Sequence, residues 1–389
     1  MNPIRDLYID GYRGIQQLEL KQFSQINLII GQNNLGKTSI LESIELLSRP
    51  GDVSQFISTS RSRDRMTVML SKNRLPVFDH VLWAFPIKAH LSFNQIIRKP
   101  IRLRANIKFG HSGYQNIEYT INYEQSSAFP THEQIDKTMD IDDYDLALGE
   151  FEENRVLELY FRLKKDNIWE EEQSTITDNL RMSNQNTIQV AKVPSQKKSP
   201  LFKYKSVSPI DHRILPVSPT FITESIISGE ENSIIQLLQQ FDADIEGIEL
   251  LAPSVNSTVP YFKHRTMGFV PITVYGDGVR RILTIATAMI RARNGLLLID
   301  EVETAIHSKL LKKFFNWLVT NCKVYNIQLF ITTHSLEAID AILSADQAHL
   351  NEMTTYRLER SKDRDKTVAK RFIGEDMYAL RYELGQDVR

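Results

Sequence analysis

Cysteine is almost absent: Cys322 is the only one in 389 residues. That excludes an intramolecular disulfide framework and any zinc centre built on cysteine clusters, and it fits a reducing compartment. Glycine and proline are sparse, at 16 and 14 residues, so the chain is neither collagen-like nor broadly disordered. An excess of one charge is also missing, with 47 Lys and Arg against 48 Asp and Glu. A surface that is basic throughout, built to wrap nucleic acid, is thereby excluded, whereas a local basic patch is still compatible. No run of about 18 apolar residues occurs, which removes a transmembrane helix. The opening Met-Asn-Pro-Ile-Arg-Asp has no basic stretch leading into an apolar one, so no secretion signal is expected. These absences predict a cytoplasmic protein without a membrane partner. What is present, 42% apolar residues, suffices for one large domain or two ordinary ones.

Residues 26–30, Ile-Asn-Leu-Ile-Ile, have the length and apolarity of a buried strand. Gly31-Gln32-Asn33-Asn34-Leu35-Gly36-Lys37-Thr38 follows and matches G-x-x-x-x-G-K-[ST]. Ile40, Leu41, Ile44 and Leu47 then recur at helical spacing. Strand, glycine-framed loop and helix are the setting of a phosphate-binding P-loop. Gly31 and Gly36 let the backbone curl so that successive N–H groups point inward at phosphates. The helix start adds its positive dipole end. Lys37 is placed to reach the β- and γ-phosphates, and the Thr38 hydroxyl to sit on Mg²⁺. The expected nucleotide-binding set here is Gly31, Asn33, Asn34, Gly36, Lys37, Thr38 and Ser39.

Downstream, Leu296-Leu297-Leu298-Ile299 ends in Asp300-Glu301. Four apolar residues closing on two carboxylates describe a buried parallel strand with acids at its C-terminal tip, where α/β sheets bind ligands. Asp300 is the expected metal-shell residue, and Glu301 the group that takes a proton from the attacking water. A third strand, Gln328-Leu329-Phe330-Ile331, runs into Thr332-Thr333-His334-Ser335. A histidine at that tip can hydrogen-bond a γ-phosphate or simply cap the strand.

In this order the motifs resemble the ATP-binding-cassette branch of P-loop ATPases, in its soluble SMC, Rad50, RecF and OLD-type group. The resemblance adds Gly11-Tyr12-Arg13-Gly14-Ile15, similar to the aromatic-Arg-Gly element of that group, and Gly276-Asp277-Gly278-Val279-Arg280-Arg281, similar to its OLD-type signature. Ile234–Leu251 and the ending Leu380–Arg389 also look like OLD-type sequence. The likeness covers about residues 1–50 and 210–389. It implies an α/β ATPase head, a mixed sheet flanked by helices with a largely antiparallel β-rich insertion. The implied lobes are 1–50 and 206–389, with the insertion at 51–205.

The resemblance further implies ATP and Mg²⁺ as ligands and Arg13 as a nucleotide contact. Two copies are expected to sandwich two nucleotides, with Gly276, Asp277 and Gly278 facing the other copy's P-loop at the start of a helix over 279–293. Glu303 to His307 correspond to the D-loop, and His334 to the switch histidine. Ser308 stands where the group usually has Pro, and no glutamine, Gln55 included, is assigned to the Q-loop.

Residues 51–275 carry no heptads, so the long coiled coil of SMC and Rad50 is absent. Residues 101–109 and 117–123 alternate with period two, with a turn at 111–113, and 156–163 adds a strand. Helical pieces are expected near 232–241. Asp140–Glu153 reads as a solvated acidic stretch. Lys197 to Lys205 and Arg61 to Arg65 read as exposed linkers, with nucleic-acid contact as the alternative. Asp363-Arg364-Asp365 has the paired-Asp spacing of a Toprim nuclease but no strand leading into it. The expected function is an ATPase subunit that dimerises on ATP and gates a separately encoded effector, such as a Toprim-like nuclease in antiphage defence. The alternative is a RecF- or Rad50-like ATPase that binds DNA.

Overall fold

The computed structural model describes residues 2–64, 77–92, 95–109, 113–128, 154–165, 168–179, 187–191, 199–214, 219–227, 229–254, 257–361 and 366–389. The acidic stretch 140–153, the turn at 111–112, Arg65, Lys197-Lys198 and Asp363–Asp365 lie outside them.

Six strands form the central sheet, in spatial order Tyr204–Val207, Leu296–Ile299, Gln328–Thr333, Ile26–Ile30, Met353–Arg360 and Thr367–Ile373. The first five run parallel, and the last is antiparallel to its neighbour. Crossovers cover both faces of a parallel sheet, which is why Ile26–Ile30 and Leu296–Ile299 are buried at every position. Successive side chains point to opposite faces. Leu28, Ile30, Leu297, Ile299, Leu329 and Ile331 enter one core, against the helices Asp277–Arg291, Ser308–Val324 and Leu336–Leu343. Ile29, Leu296, Leu298 and Phe330 enter the other, against Ile40, Leu41, Ile44 and Leu47 of the P-loop helix Lys37–Ser48.

That second core is closed by an antiparallel sheet of seven strands. Its order is Thr187–Ala191, Ile168–Asn179, Asn154–Lys165, Tyr114–Ala128, Ile101–Lys108, Ile4–Asp10 and Leu18–Leu20. The period-two pattern has its expected consequence: Ile101, Leu103, Ala105 and Ile107 are buried while Arg102 and Arg104 are exposed. The strands expected within 51–205 therefore extend the sheet that the first strands of the chain begin. The helical pieces appear as Glu231–Leu238 and Asp277–Arg291. Between them stands a small sheet of Ile245–Ser254, Ser257–His264 and Gly268–Pro271. The arrangement is the expected α/β one, a mixed sheet between helices with an antiparallel β-rich region. One expectation is corrected. Residues 201–205 are no exposed linker, because Phe202 is buried and Tyr204–Val207 forms an edge of the central sheet. Among the described residues, no helix is long and apolar enough to cross a membrane.

The topology places the chemistry. Ile299 pairs with Ile331, and Thr333 with Ile30. Parallel strands end on the same side, so Gly31, Asp300 and His334 all emerge at one edge of the sheet.

Candidate nucleotide-binding site

The P-loop curl requires backbone that most side chains resist. Gly36 has φ +93°, and a Cβ there would lie 2.9 Å from the Ile15 side chain. Gly36→Ala is expected to cost about 1–3 kcal/mol of stability, read from thermal unfolding without nucleotide. Lys37 begins the helix, and its Nζ donates to the carbonyls of Gly31 at 2.6 Å and Gln32 at 3.0 Å. Burial pushes the Lys37 ammonium below its ordinary range, while Asp300, Glu301 and Glu303 pull it back up.

Four residues at the sheet edge are chained together. Thr38 Oγ1 donates to Asp300 Oδ2 at 2.8 Å, and Thr332 Oγ1 donates to Asp300 Oδ1 at 2.5 Å. The Glu301 N–H donates to Thr332 Oγ1 at 2.9 Å. Parallel register explains the place of Thr332, which follows the residue paired with Ile299 and so stands beside Asp300. A hydroxyl and a carboxylate meeting at one point fit Mg²⁺, which takes one or two protein oxygens and fills its remaining positions with phosphate and water.

A cavity of about 440 Å³ opens at this edge. Arg13, Asn33, Asn34, Gly36, Lys37, Thr38, Ser39, Asp300 and Glu301 all line it, as expected of a nucleotide site. Gly31, also expected there, is not a lining residue; its carbonyl accepts from Lys37. Gly276, Asp277 and Gly278 are not among its lining residues, and neither is His334. The glycines stand at the N-terminus of Asp277–Arg291, where Gly278 packs on the Ala305 carbonyl. Asp277 pairs with Arg213 at 2.6 Å. His334 Nδ1 lies 3.3 Å from Glu303 Oε1, which also accepts the His334 N–H. His307 caps Ser308–Val324, so Ser308 takes the first helical position, where Pro is favoured because no N–H partner is needed there. Gln55 Nε2 donates to Tyr204 Oη at 2.6 Å, in the helix Val53–Ser60.

Three lining residues escaped the sequence: Arg63, Arg360 and Thr367. Arg63 was expected in an exposed linker, but it pairs with the buried Glu42 at 2.9 Å and donates to Ser39 Oγ at 2.7 Å. Arg360 donates to the Asn34 carbonyl at 3.1 Å. Neither contact has a local signature. Elsewhere, Asp242, Asp244 and His264 bring potential ligand atoms within 4.8 Å of one another. His264 Nδ1 accepts the N–H groups of Thr266 and Met267, so the ring proton sits on Nε2, which faces Asp242 at 3.4 Å. That nitrogen has no lone pair to give a metal.

Fold and cavity together are those of a P-loop ATPase. Residues 26–340 match the family described as "AAA domain, putative AbiEii toxin, Type IV TA system", and the chain belongs to that family. A Helicobacter pylori protein named ATP/GTP phosphatase is 23% identical over 406 residues, which span 96% of each chain. The DNA replication and repair protein RecF of a Shewanella species is 41% identical over 76 residues, 19% of this chain and 21% of that one. Among solved structures, an SMC head bound to the C-terminal winged-helix domain of ScpA aligns with TM-score 0.48 and 11% identity, over 96% of this chain and 99% of that one.

Proposed function

We propose that the chain binds ATP with Mg²⁺ in this cavity, hydrolyses it, and pairs with a second copy in the ATP-bound form. The observation that carries the reading is the 2.8 Å contact of Thr38 Oγ1 with Asp300 Oδ2. It joins two motifs 262 residues apart at the point where the phosphate-bound cation belongs. P-loop N–H groups and Lys37 hold the phosphates, and Glu301 takes the proton of the attacking water. Mg²⁺, when bound, neutralises charge on the β- and γ-phosphate oxygens. Gly276 is exposed and the signature lies off its own chain's cavity, which supports presentation of Gly276, Asp277 and Gly278 to the nucleotide of a second copy. His334, half exposed, is the γ-phosphate-sensing group of the same reading.

The partner we propose is a separately encoded effector, a Toprim-like nuclease acting in antiphage defence, on the strength of the OLD-type motifs. The segment similar to RecF supports a second reading, direct DNA binding. Light scattering on the purified chain tests pairing: mass should double with ATP and Mg²⁺ and stay single with ADP. A single mass throughout would overturn the sandwich. DNA-stimulated turnover that falls steeply with salt is the mark of the second reading.

A further inference from the structure

Strand order gives the cavity two ends. Asp300 follows Leu296–Ile299, which lies to one side of Ile26–Ile30, beyond Gln328–Thr333. Met353–Arg360 pairs with Ile26–Ile30 on the other side, and Thr367–Ile373 closes the sheet beyond it. The cavity is lined from Asp300 and Glu301, across the P-loop, to Arg360 and Thr367.

The far end is built by the hairpin of those last two strands. Arg357 stands opposite Ile30, where the P-loop begins to curl away. Leu358 stays against the loop, since a Cβ on Gly31 would lie 2.9 Å from the Leu358 carbonyl oxygen. Arg360 then reaches the middle of the loop and donates to the Asn34 carbonyl at 3.1 Å. Thr367 is its direct partner across the hairpin, and directly opposite residues share a face. Leu358, two positions earlier on that face, enters the core that holds the P-loop helix. Arg360 and Thr367 are therefore turned to the helix side of the sheet, where the cavity lies. Lys366 Nζ donates to Gln17 Oε1 at 2.6 Å and fastens the hairpin to the turn after Ile4–Asp10. Gly14, in the same turn, lines the cavity with open space where a Cβ would sit.

The cations of the cavity are not equivalent. Lys37 is held by loop carbonyls, and Arg13 and Arg63 turn their nitrogens to Glu42. Arg360 is exposed and tethered through one terminal nitrogen. Among the described residues, no carboxylate or aromatic ring pairs with its guanidinium. A guanidinium fixed at one edge keeps its flat faces available, and such a face stacks on aromatic rings.

We infer that Arg360 is the nucleobase contact of the cavity, its guanidinium plane stacking on the base beside Thr367 at the end away from Asp300. This rests on the nucleotide-binding reading and deepens it by assigning the nucleoside a place. With the terminal phosphates at Lys37, Thr38 and Asp300, the nucleoside has the remaining end, which this hairpin forms. Stacking accepts every base, and its strength sets modest preferences among them. A purine offers two fused rings and a pyrimidine one, so the site takes purine nucleotides in preference, and Arg360 sets that preference.

Calorimetric titration of the full chain with ADP and with UDP is the test, because the two share their phosphates and differ in the base. The parent chain should bind ADP more tightly than UDP. Arg360→Ala is expected to raise Kd for ADP about fivefold to fiftyfold and Kd for UDP by a smaller factor, so the preference shrinks. Arg360→Lys keeps the charge without the plane and should behave as Arg360→Ala does. Both substitutions fall on an exposed side chain and spare the core. A phosphate contact gives the opposite pattern, equal factors for ADP and UDP and recovery in Arg360→Lys. Either of those results, an unchanged Kd for ADP in Arg360→Ala, or equal binding of ADP and UDP by the parent would overturn the stacking assignment. A parent chain that binds neither nucleotide, or binds them equally well with Lys37→Ala, overturns the nucleotide reading itself. Lys37-dependent binding indifferent to Arg360 overturns the stacking assignment alone.

Discussion

Glu301→Gln is expected to stop turnover while nucleotide binding persists. A positioned general base contributes about 10²–10⁴-fold to rate, and an amide of the same shape cannot accept the proton. The surrounding geometry makes the substitution a clean one. The Glu301 N–H is held by Thr332 Oγ1 at 2.9 Å, and its carbonyl accepts from Arg281 at 3.4 Å. Its backbone has φ +44°, an orientation fixed by those two contacts and not by the carboxylate. Thr304 Oγ1 donates to Glu301 Oε2 at 3.5 Å. Phosphate release at saturating ATP and Mg²⁺ measures the loss, and calorimetry measures binding. A rate within twofold of the parent would remove Glu301 from the role. Glu303 would not readily replace it, because one of its oxygens is already engaged by His334.

The same site shows why parts of it were legible in the sequence and parts were not. The P-loop and the Asp300-Glu301 tip are contiguous in the chain, so residue type and spacing carried their chemistry. The alternation over 101–109 and 117–123 was legible because burial on one face enforces period two, and the strands there run Ile101–Lys108 and Tyr114–Ala128. Glu42 and Arg63 are 21 residues apart, and Arg360 is 326 from Asn34. These contacts arise from the path of the chain and leave no pattern in it. Thr332 is the instructive case. The sequence drew attention to His334 at the strand tip, yet parallel register sets Thr332 beside Asp300, while His334 turns to Glu303. The union of Ile4–Asp10 with strands a hundred residues later in one sheet was equally hidden, since alternation marks a strand without naming its neighbour.

Arg281→Met should destabilise the fold by about 3–5 kcal/mol, more than any surface substitution in the chain. Arg281 sits in the first turns of Asp277–Arg291 and is fully buried. One terminal nitrogen donates to the Ser208 carbonyl, and the other to the carbonyls of Asp300 at 3.0 Å and Glu301 at 3.4 Å. Burial pulls the guanidinium down to about 10, with Asp211 foremost among the carboxylates that hold it up, so it is charged at neutral pH. Methionine matches much of the volume but satisfies none of those carbonyls, and it removes a cation that acts on the buried Asp211. Removing one partner of such a set costs far more than replacing the whole set with apolar groups. Arg281→Lys should recover less than half of the loss, because one ammonium cannot span carbonyls that a planar fork reaches on two sides. Denaturant unfolding without nucleotide reads both variants, and a loss under 1 kcal/mol for Arg281→Met would mean that water or a neighbouring donor takes the carbonyls over. The consequence for function follows from where the fork points. Its helix begins at Gly276-Asp277-Gly278, and its guanidinium grips the backbone of Asp300 and Glu301. Any displacement of the signature end is therefore passed to the residues proposed to hold the metal and take the proton.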